Sequence, residues 1–137
     1  MSGRAIYLDA SAVVRLIRIE AETAALRTYL ERERQREAVL VSSMLLRTEA
    51  VRVASLISQR YVALARHLIR REIAFVAVDR EVLDQAAGLQ PPRLRSLDAV
   101  HVATALSLGD DLAEFVTYDR RMVEAARHQG LPVASPS

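Results

Sequence analysis

Residues 5–18 read AIYLDASAVVRLIR, and the way this stretch divides decides the fold. Residues 5–8 form a short apolar run containing Ile6 and Tyr7, the pattern of a strand buried on both faces. Asp9 closes the run, so its carboxylate emerges at the strand's carboxyl end. An apolar-rich segment over 12–18 follows, with Ser11 placed to cap it as a helix. The chain thus opens as a buried strand feeding a helix.

The same alternation recurs outward from there. A second helix is predicted over about 22–37, ending in the tract ERERQRE at 31–37, whose alternating signs suit a solvated face. Residues 39–42 make a second strand, and Ser42 or Ser43 can cap a helix starting near Met44. A break at 58–60 precedes another helix running to about Arg71, and 75–78 is a third strand. Asp79 caps a helix over 80–87 that stops at Gly88. Pro91 and Pro92 make 88–96 a loop, and 97–108 is a largely apolar helix ended by Gly109. A fourth strand at 115–117, a helix over 119–128 ended by Gly130, and a short edge strand at 132–134 complete the chain. This pattern predicts an α/β fold, a three-layer α/β/α sandwich with a mostly parallel central sheet, as a single domain over 1–137. Right-handed crossovers would gather the carboxyl ends of the strands along one edge, where open α/β folds bind ligands.

Composition narrows the function classes. The chain has no cysteine, which excludes a disulfide scaffold, thiolate catalysis and zinc held by thiolates. All 19 basic residues are arginine, with a formal net charge of only +2. Arginine suits bidentate phosphate contacts and equally an acidic protein partner, while genomic base composition would produce the same bias. The opening residues lack a signal-peptide core, and no run approaches the ~20 apolar residues that span a bilayer. A soluble cytoplasmic protein without membrane contact is the expectation.

Four acids do not fit a core. Asp9 and Asp119 each follow an apolar strand and read either as helix caps or as site carboxylates. Glu49 lies among Leu45, Leu46, Val53 and Leu56 on a helical pattern, and Asp98 opens the apolar helix LDAVHVATAL. A carboxylate turned toward a core needs a partner. Arg47, Arg52 or Arg95 would serve as ion-pair partners, and a shared divalent cation would serve as well. Oxygen-rich sites suit Mg2+ or Mn2+. HExxH, the phosphate-binding GxxxxGK[ST] loop, GxGxxG and GxSxG are all absent, and DASA at 9–12 lacks the DxDxT pattern of phospho-aspartate phosphatases. His101, one turn from Asp98, reads as a packed or hydrogen-bonded histidine, and His67 and His128 as peripheral.

Taken in order, the motifs resemble the PIN-domain family, specifically the VapC-type toxins of bacterial toxin–antitoxin pairs. YLDASA at 7–12 resembles the family's first acidic motif and places its acid at Asp9, with Ser11 as the nearby hydroxyl. SSMLLRTEAVR at 42–52 gives Glu49, LRSLDAVHVATAL at 94–106 gives Asp98, and VTYDRRM at 116–122 gives Asp119 with Thr117 as its hydroxyl. The likeness covers about residues 5–134, and all four acidic positions are filled.

The resemblance implies an Mg2+- or Mn2+-dependent endoribonuclease that hydrolyses RNA phosphodiester bonds with metal-activated water, leaving a 5′-phosphate and a 3′-hydroxyl. Asp9, Asp98 and Asp119 would stand closest to the metal. Glu49 would bind it, orient its water shell or take part in proton transfer. Ser11 and Thr117 would hold a ligand, carboxylate or phosphate. Arg95, Arg15 and Arg120 are the candidate phosphate contacts, with Arg18, Arg47 and Arg121 also near the motifs, and structural ion pairing is the competing role for Arg95. The resemblance further implies a structured RNA substrate such as tRNA or rRNA, a homodimer, and inhibition by a cognate VapB-like antitoxin covering apolar surface around the N-terminal helices. Two other readings stand beside it. One is a structure-specific DNA nuclease; the other is a catalytically silent RNA-binding or protein-interaction module.

Overall fold

β1 (Ala5–Leu8) is buried along its whole length, so it must be paired on both edges and covered on both faces. The computed structural model, which describes residues 3–137, shows both. The predicted single domain over 1–137 includes residues 1–2, which lie outside the described part. β2 (Val39–Ser43), β3 (Ala74–Val76), β4 (Leu112–Val116) and β5 (Val133–Ala134) join β1 in one sheet of order β3-β2-β1-β4-β5. Every pairing in it is parallel.

Alternation along β1 assigns the two faces. Ile6 and Leu8 enter a core formed with α1 (Ala10–Ile17), α2 (Thr23–Gln35), α3 (Leu45–Ser55) and α4 (Gln59–Arg71). Tyr7 points the other way, stacked on Phe115 with ring centroids 5.0 Å apart. It packs there with Val102 of α6 (Ser96–Leu106) and Met122 of α7 (Arg120–His128). α5 (Arg80–Ala87) lies against α6 through Val82, Ala86, Val100 and Ala103. These are the three predicted layers. No helix among the described residues is long and apolar enough to cross a membrane.

The strand order locates the site. The chain builds outward from β1 to β2 and β3, then returns to add β4 and β5 on β1's other edge. Connections therefore diverge at the carboxyl ends of β1 and β4, the switch point where open α/β sheets leave a crevice. Asp9 follows β1 directly, and Thr117 and Asp119 follow β4.

Several local expectations are corrected. α1 starts at Ala10, two residues before the predicted 12, because Asp9 rather than Ser11 caps it by accepting from the Ala12 amide at 3.1 Å. β4 starts at Leu112, three residues before the predicted 115; Glu114, half-buried and accepting from the Tyr29 hydroxyl, masked the strand pattern. α6 ends at Leu106, and Gly109 (φ 55°) opens a short 3-10 turn instead of ending the helix. Within the charged tract, Glu33 turns inward, 3% exposed, and pairs with Arg4 at 2.8 Å.

Candidate active site

Asp9 is only 3% exposed, at the floor of the crevice between β1 and β4. Its Oδ1 accepts from the Ser11 hydroxyl at 2.6 Å and from the Ala12 amide at 3.1 Å. Its Oδ2 accepts from the Thr117 hydroxyl at 2.5 Å. Burial still pushes the Asp9 carboxyl above its usual pKa, because the loss of water outweighs these donors. Asp9 is thus both a helix cap and a desolvated carboxylate.

Thr117 ties Asp9 to the fourth acid. Its hydroxyl oxygen also accepts from the Asp119 amide at 3.1 Å, while Asp119 Oδ1 caps α7 by accepting from the Arg121 amide at 2.9 Å. Ser11 plays a parallel part from α1, accepting from the Tyr118 amide at 2.9 Å and lying 3.3 Å from the Thr117 hydroxyl. Neither hydroxyl has a histidine or lysine base beside it, so both serve as positioning groups rather than nucleophiles.

Asp98 stands in the first turn of α6, partly buried. Its carboxyl is pushed up first by burial, then by the neighbouring Asp119 carboxylate and, more weakly, by Glu49; His101 and Arg95 pull it down. Asp98, Asp119 and Glu49 therefore share one electrostatic neighbourhood. Glu49 reaches it because Leu45, one turn earlier on α3, packs against the α5–α6 side. The ion-pair partners proposed for Glu49 and Asp98 are corrected. Among the described residues neither acid bridges to Arg47, Arg52 or Arg95, and Glu49 meets His101 Nε2 at 2.5 Å instead. Arg47 lies over the Phe75 ring, 5.3 Å from its centroid.

The candidate phosphate contacts separate. Arg15 is engaged by Glu22 (3.2 Å) and the Ser11 carbonyl (3.0 Å), with its guanidinium 4.4 Å over the Tyr118 ring. Arg120 is exposed and does not line the cavity next to Asp98. Arg95 does line it. That groove, of about 640 Å3, is walled by Arg93, Arg95, Arg121 and His128 around Pro91, Leu94 and Ala125, with the carboxylates of Asp98 and Glu124 also in its lining. His128, read from sequence as peripheral, belongs to this wall. None of the three arginines bridges to a carboxylate among the described residues.

A hard divalent cation fits the donor chemistry: carboxylate and hydroxyl oxygens with no thiolate, and acids whose mutual repulsion a cation would relieve. Among the described residues, no three acidic or histidine side chains are yet grouped closely enough to hold one. Asp98, Asp119 and Glu49 would have to draw in around the ion, with Asp9 beneath.

Residues 6–128 match the family model described as the PIN domain. The chain belongs to the PIN-domain family. This PIN domain is 46% identical over 136 residues to Ribonuclease VapC46 of Mycobacterium tuberculosis, covering 97% of this chain and 98% of that one. Among solved structures it superposes on Rickettsia felis VapBC2, a complex bound to a promoter DNA fragment, with TM-score 0.75 at 11% identity, covering 97% of this chain and 99% of that one. It also superposes on Mycobacterium tuberculosis VapC20, described as a Sarcin-Ricin loop cleaving toxin, with TM-score 0.70 at 16% identity, covering 88% and 94%.

Two residues of this PIN domain site carried only a faint signal in sequence. Tyr7 sits in an apolar strand, where its hydroxyl must find a buried partner. His101 is a lone polar ring in the otherwise small and apolar run AVHVATA at 99–105. Each reads as core by itself. Joined, with Tyr7 Oη 2.6 Å from His101 Nδ1, they lead from the sheet to Glu49.

Proposed function

We propose that the protein is a divalent-metal-dependent endoribonuclease, the toxin half of a VapBC-type pair. The observation that carries the reading is a set of acids at the switch point to which no arginine bridges among the described residues: Asp98, pushed up by Asp119 and Glu49, with Glu49 itself bonded to His101. Carboxylates that share one crevice and repel one another are groups a divalent cation would draw together. The ribonuclease name of a relative 46% identical over nearly the whole chain supports the same activity.

In this reading Asp9, Asp98, Asp119 and Glu49 hold the cation, Mg2+ or Mn2+. When bound, it supplies charge neutralisation on the scissile phosphate and a lowered pKa for the attacking water. Ser11 and Thr117 orient the Asp9 carboxylate and fix its distance from Asp119 through the Thr117 hydroxyl. Arg95 and Arg121 both line the groove and take the phosphates flanking the cleaved bond. The apolar floor at Pro91, Leu94 and Ala125 accepts a base or ribose face. A structured tRNA or rRNA is the proposed substrate class.

The antitoxin would occupy a second groove, about 300 Å3, where Leu16, Ile17, Leu30, Leu64 and Leu68 of α1, α2 and α4 leave apolar surface beside Arg27, with Arg34 at its rim already bonded to Glu72 at 2.6 Å. A VapB-like segment with apolar and acidic side chains suits it. The active protein is proposed to be a homodimer.

The test is cleavage of total RNA by purified protein in Mg2+, in Mn2+ and in excess EDTA, with Asp98→Ala alongside and its fold checked by circular dichroism. Discrete metal-dependent products missing from the Asp98→Ala lane are expected. RNA bound but uncut in every metal condition would favour a silent binding module, and cleavage restricted to DNA would favour the DNA nuclease.

A further inference from the structure

A largely buried polar chain runs from Tyr7 through His101 to Glu49. Tyr7 is fully buried on β1, and His101 is 1% exposed on α6. The Tyr7 hydroxyl lies 2.6 Å from His101 Nδ1, and His101 Nε2 lies 2.5 Å from Glu49 Oε1. The Tyr7 ring meets the imidazole edge-on at 5.8 Å and is itself clamped by Phe115, so the chain has little freedom to swing. A core that needed only to fill this space would do so with apolar side chains at less desolvation cost. Instead, three polar groups from β1, α6 and α3 are matched end to end.

The direction of the bonds follows from their chemistry. A carboxylate only accepts, so Nε2 carries the hydrogen that Glu49 receives. In the neutral imidazole Nδ1 is then the acceptor, and the Tyr7 hydroxyl donates to it. Tyr7 thereby fixes the tautomer that presents an N–H to Glu49. With Oε1 held this way, Glu49, only one-fifth exposed, keeps Oε2 as the oxygen not bonded to His101.

We propose that His101 is a positioning residue for the metal site, oriented by Tyr7, and that it sets the single oxygen through which Glu49 serves the cation. The inference rests on the metal-dependent reading above and assigns that site a supporting shell. Hydrogen-bond partners behind metal-binding side chains commonly carry 10–100-fold in metal affinity.

Two substitutions separate positioning from mere packing. His101→Gln places an amide nitrogen near the former Nε2, keeping the donor to Glu49. His101→Asn matches the Nδ1 side, keeping a partner for Tyr7 while falling short of Glu49. Mn2+ binding without RNA is read from the free-ion electron paramagnetic resonance signal, and RNA cleavage is titrated with Mn2+ in parallel. Circular dichroism and thermal melting confirm the fold. His101→Asn should weaken Mn2+ binding about 10–100-fold and raise the Mn2+ needed for half-maximal cleavage by the same factor. His101→Gln should stay within about 3-fold of wild type, because its amide still donates to Glu49. Equal Mn2+ affinity in wild type and a folded His101→Asn overturns the inference and leaves the nuclease reading standing. Equal losses in both variants also overturn it, because packing alone would produce them. A wild-type protein that binds no Mn2+ and cuts RNA equally well in EDTA would remove the metal reading itself. Should His101→Asn fail to fold, Glu49→Gln with and without His101→Leu, which removes the donor to Glu49, decides: additive losses of affinity overturn the coupling, and non-additive ones support it.

Discussion

Replacing Asp9 with asparagine and with alanine separates its structural duty from its electrostatic one. Both changes remove the buried charge, so the cost of desolvating it cancels between them. Asparagine keeps an acceptor for the Ala12 amide, since Asn caps helices as well as Asp, and the Thr117 hydroxyl can turn to accept from the new amide. Alanine loses the cap, worth about 1 kcal/mol, and strands the buried Thr117 hydroxyl, worth roughly 1–3 kcal/mol. Asp9→Ala should therefore be less stable than Asp9→Asn by about 2–4 kcal/mol, or roughly 6–16 °C in Tm for a domain of this size. Wild type adds a pH dependence. Because burial raises the Asp9 pKa above 3.8, its contribution to stability is full below that value and is lost as pH rises through the folded pKa. Melted in EDTA from pH 4 to pH 7, wild type should lose ground steadily against Asp9→Asn, whose side chain does not titrate. The Asp98 contribution is common to both and drops out. Coincident melting of Asp9→Asn and Asp9→Ala would refute the assignment of these hydrogen bonds. A flat wild-type–Asp9→Asn difference across that pH range would refute the desolvated carboxylate. RNA cleavage by Asp9→Asn at the wild-type rate would take Asp9 out of the reacting site.

Mn2+ or Mg2+ should stabilise the wild type by about 2.7 kcal/mol at a hundredfold excess over Kd, or about 8–11 °C in Tm; no shift beyond that of Asp98→Ala in a thermal-melt titration would contradict a cation site there. Thr117→Ala should lower cleavage more than Ser11→Ala, since the Thr117 hydroxyl alone bonds Asp9 Oδ2 and also holds the Asp119 amide; kcat values in saturating Mn2+ decide the order, and equal rates would contradict it. In an Asp98→Ala background, Arg95→Ala and Arg121→Ala should each reduce the salt dependence of single-stranded RNA binding by about 0.7 in the log–log slope. Arg120→Ala should leave it unchanged, and a slope that ignores Arg95 and Arg121 would remove the groove from the substrate path.

The fold was legible because a fully buried parallel strand leaves a strong mark. AIYL cannot be amphipathic, and the helix after it must cover one of its faces. Boundaries were less legible where one residue does two jobs. Both Asp9 and Ser11 were open as caps of a helix starting at 12, yet the Asp9 carboxylate takes the Ala12 amide and the helix starts at Ala10. At β4, Glu114 and the 3-10 turn over Gly109–Asp111 obscured a five-residue strand whose first residue, Leu112, pairs with Ala5. The inward turn of Glu33 was not legible either, because its partner Arg4 lies 29 residues away.

The candidate site divides along the same physical line. Acids standing where a core should be are visible in one dimension, since each is an anomaly in its own neighbourhood. The groups that make them a site are ordinary in theirs. Tyr7 is a normal strand residue, His101 a tolerable helix residue and Thr117 a common end to a strand; what distinguishes them is that each buried polar atom finds its partner on a different element. The arginines follow suit: Arg15, adjacent to the first motif, is absorbed by Glu22 and Tyr118, while Arg121 reaches the groove because Asp119 starts α7 immediately before it. Sequence proximity to a motif therefore ranks charges poorly, since a short-range carboxylate captures an arginine more readily than a distant phosphate does. Among these arginines, those in the groove bridge to no carboxylate, and it is this lack of a local partner that leaves them available to a polyanion.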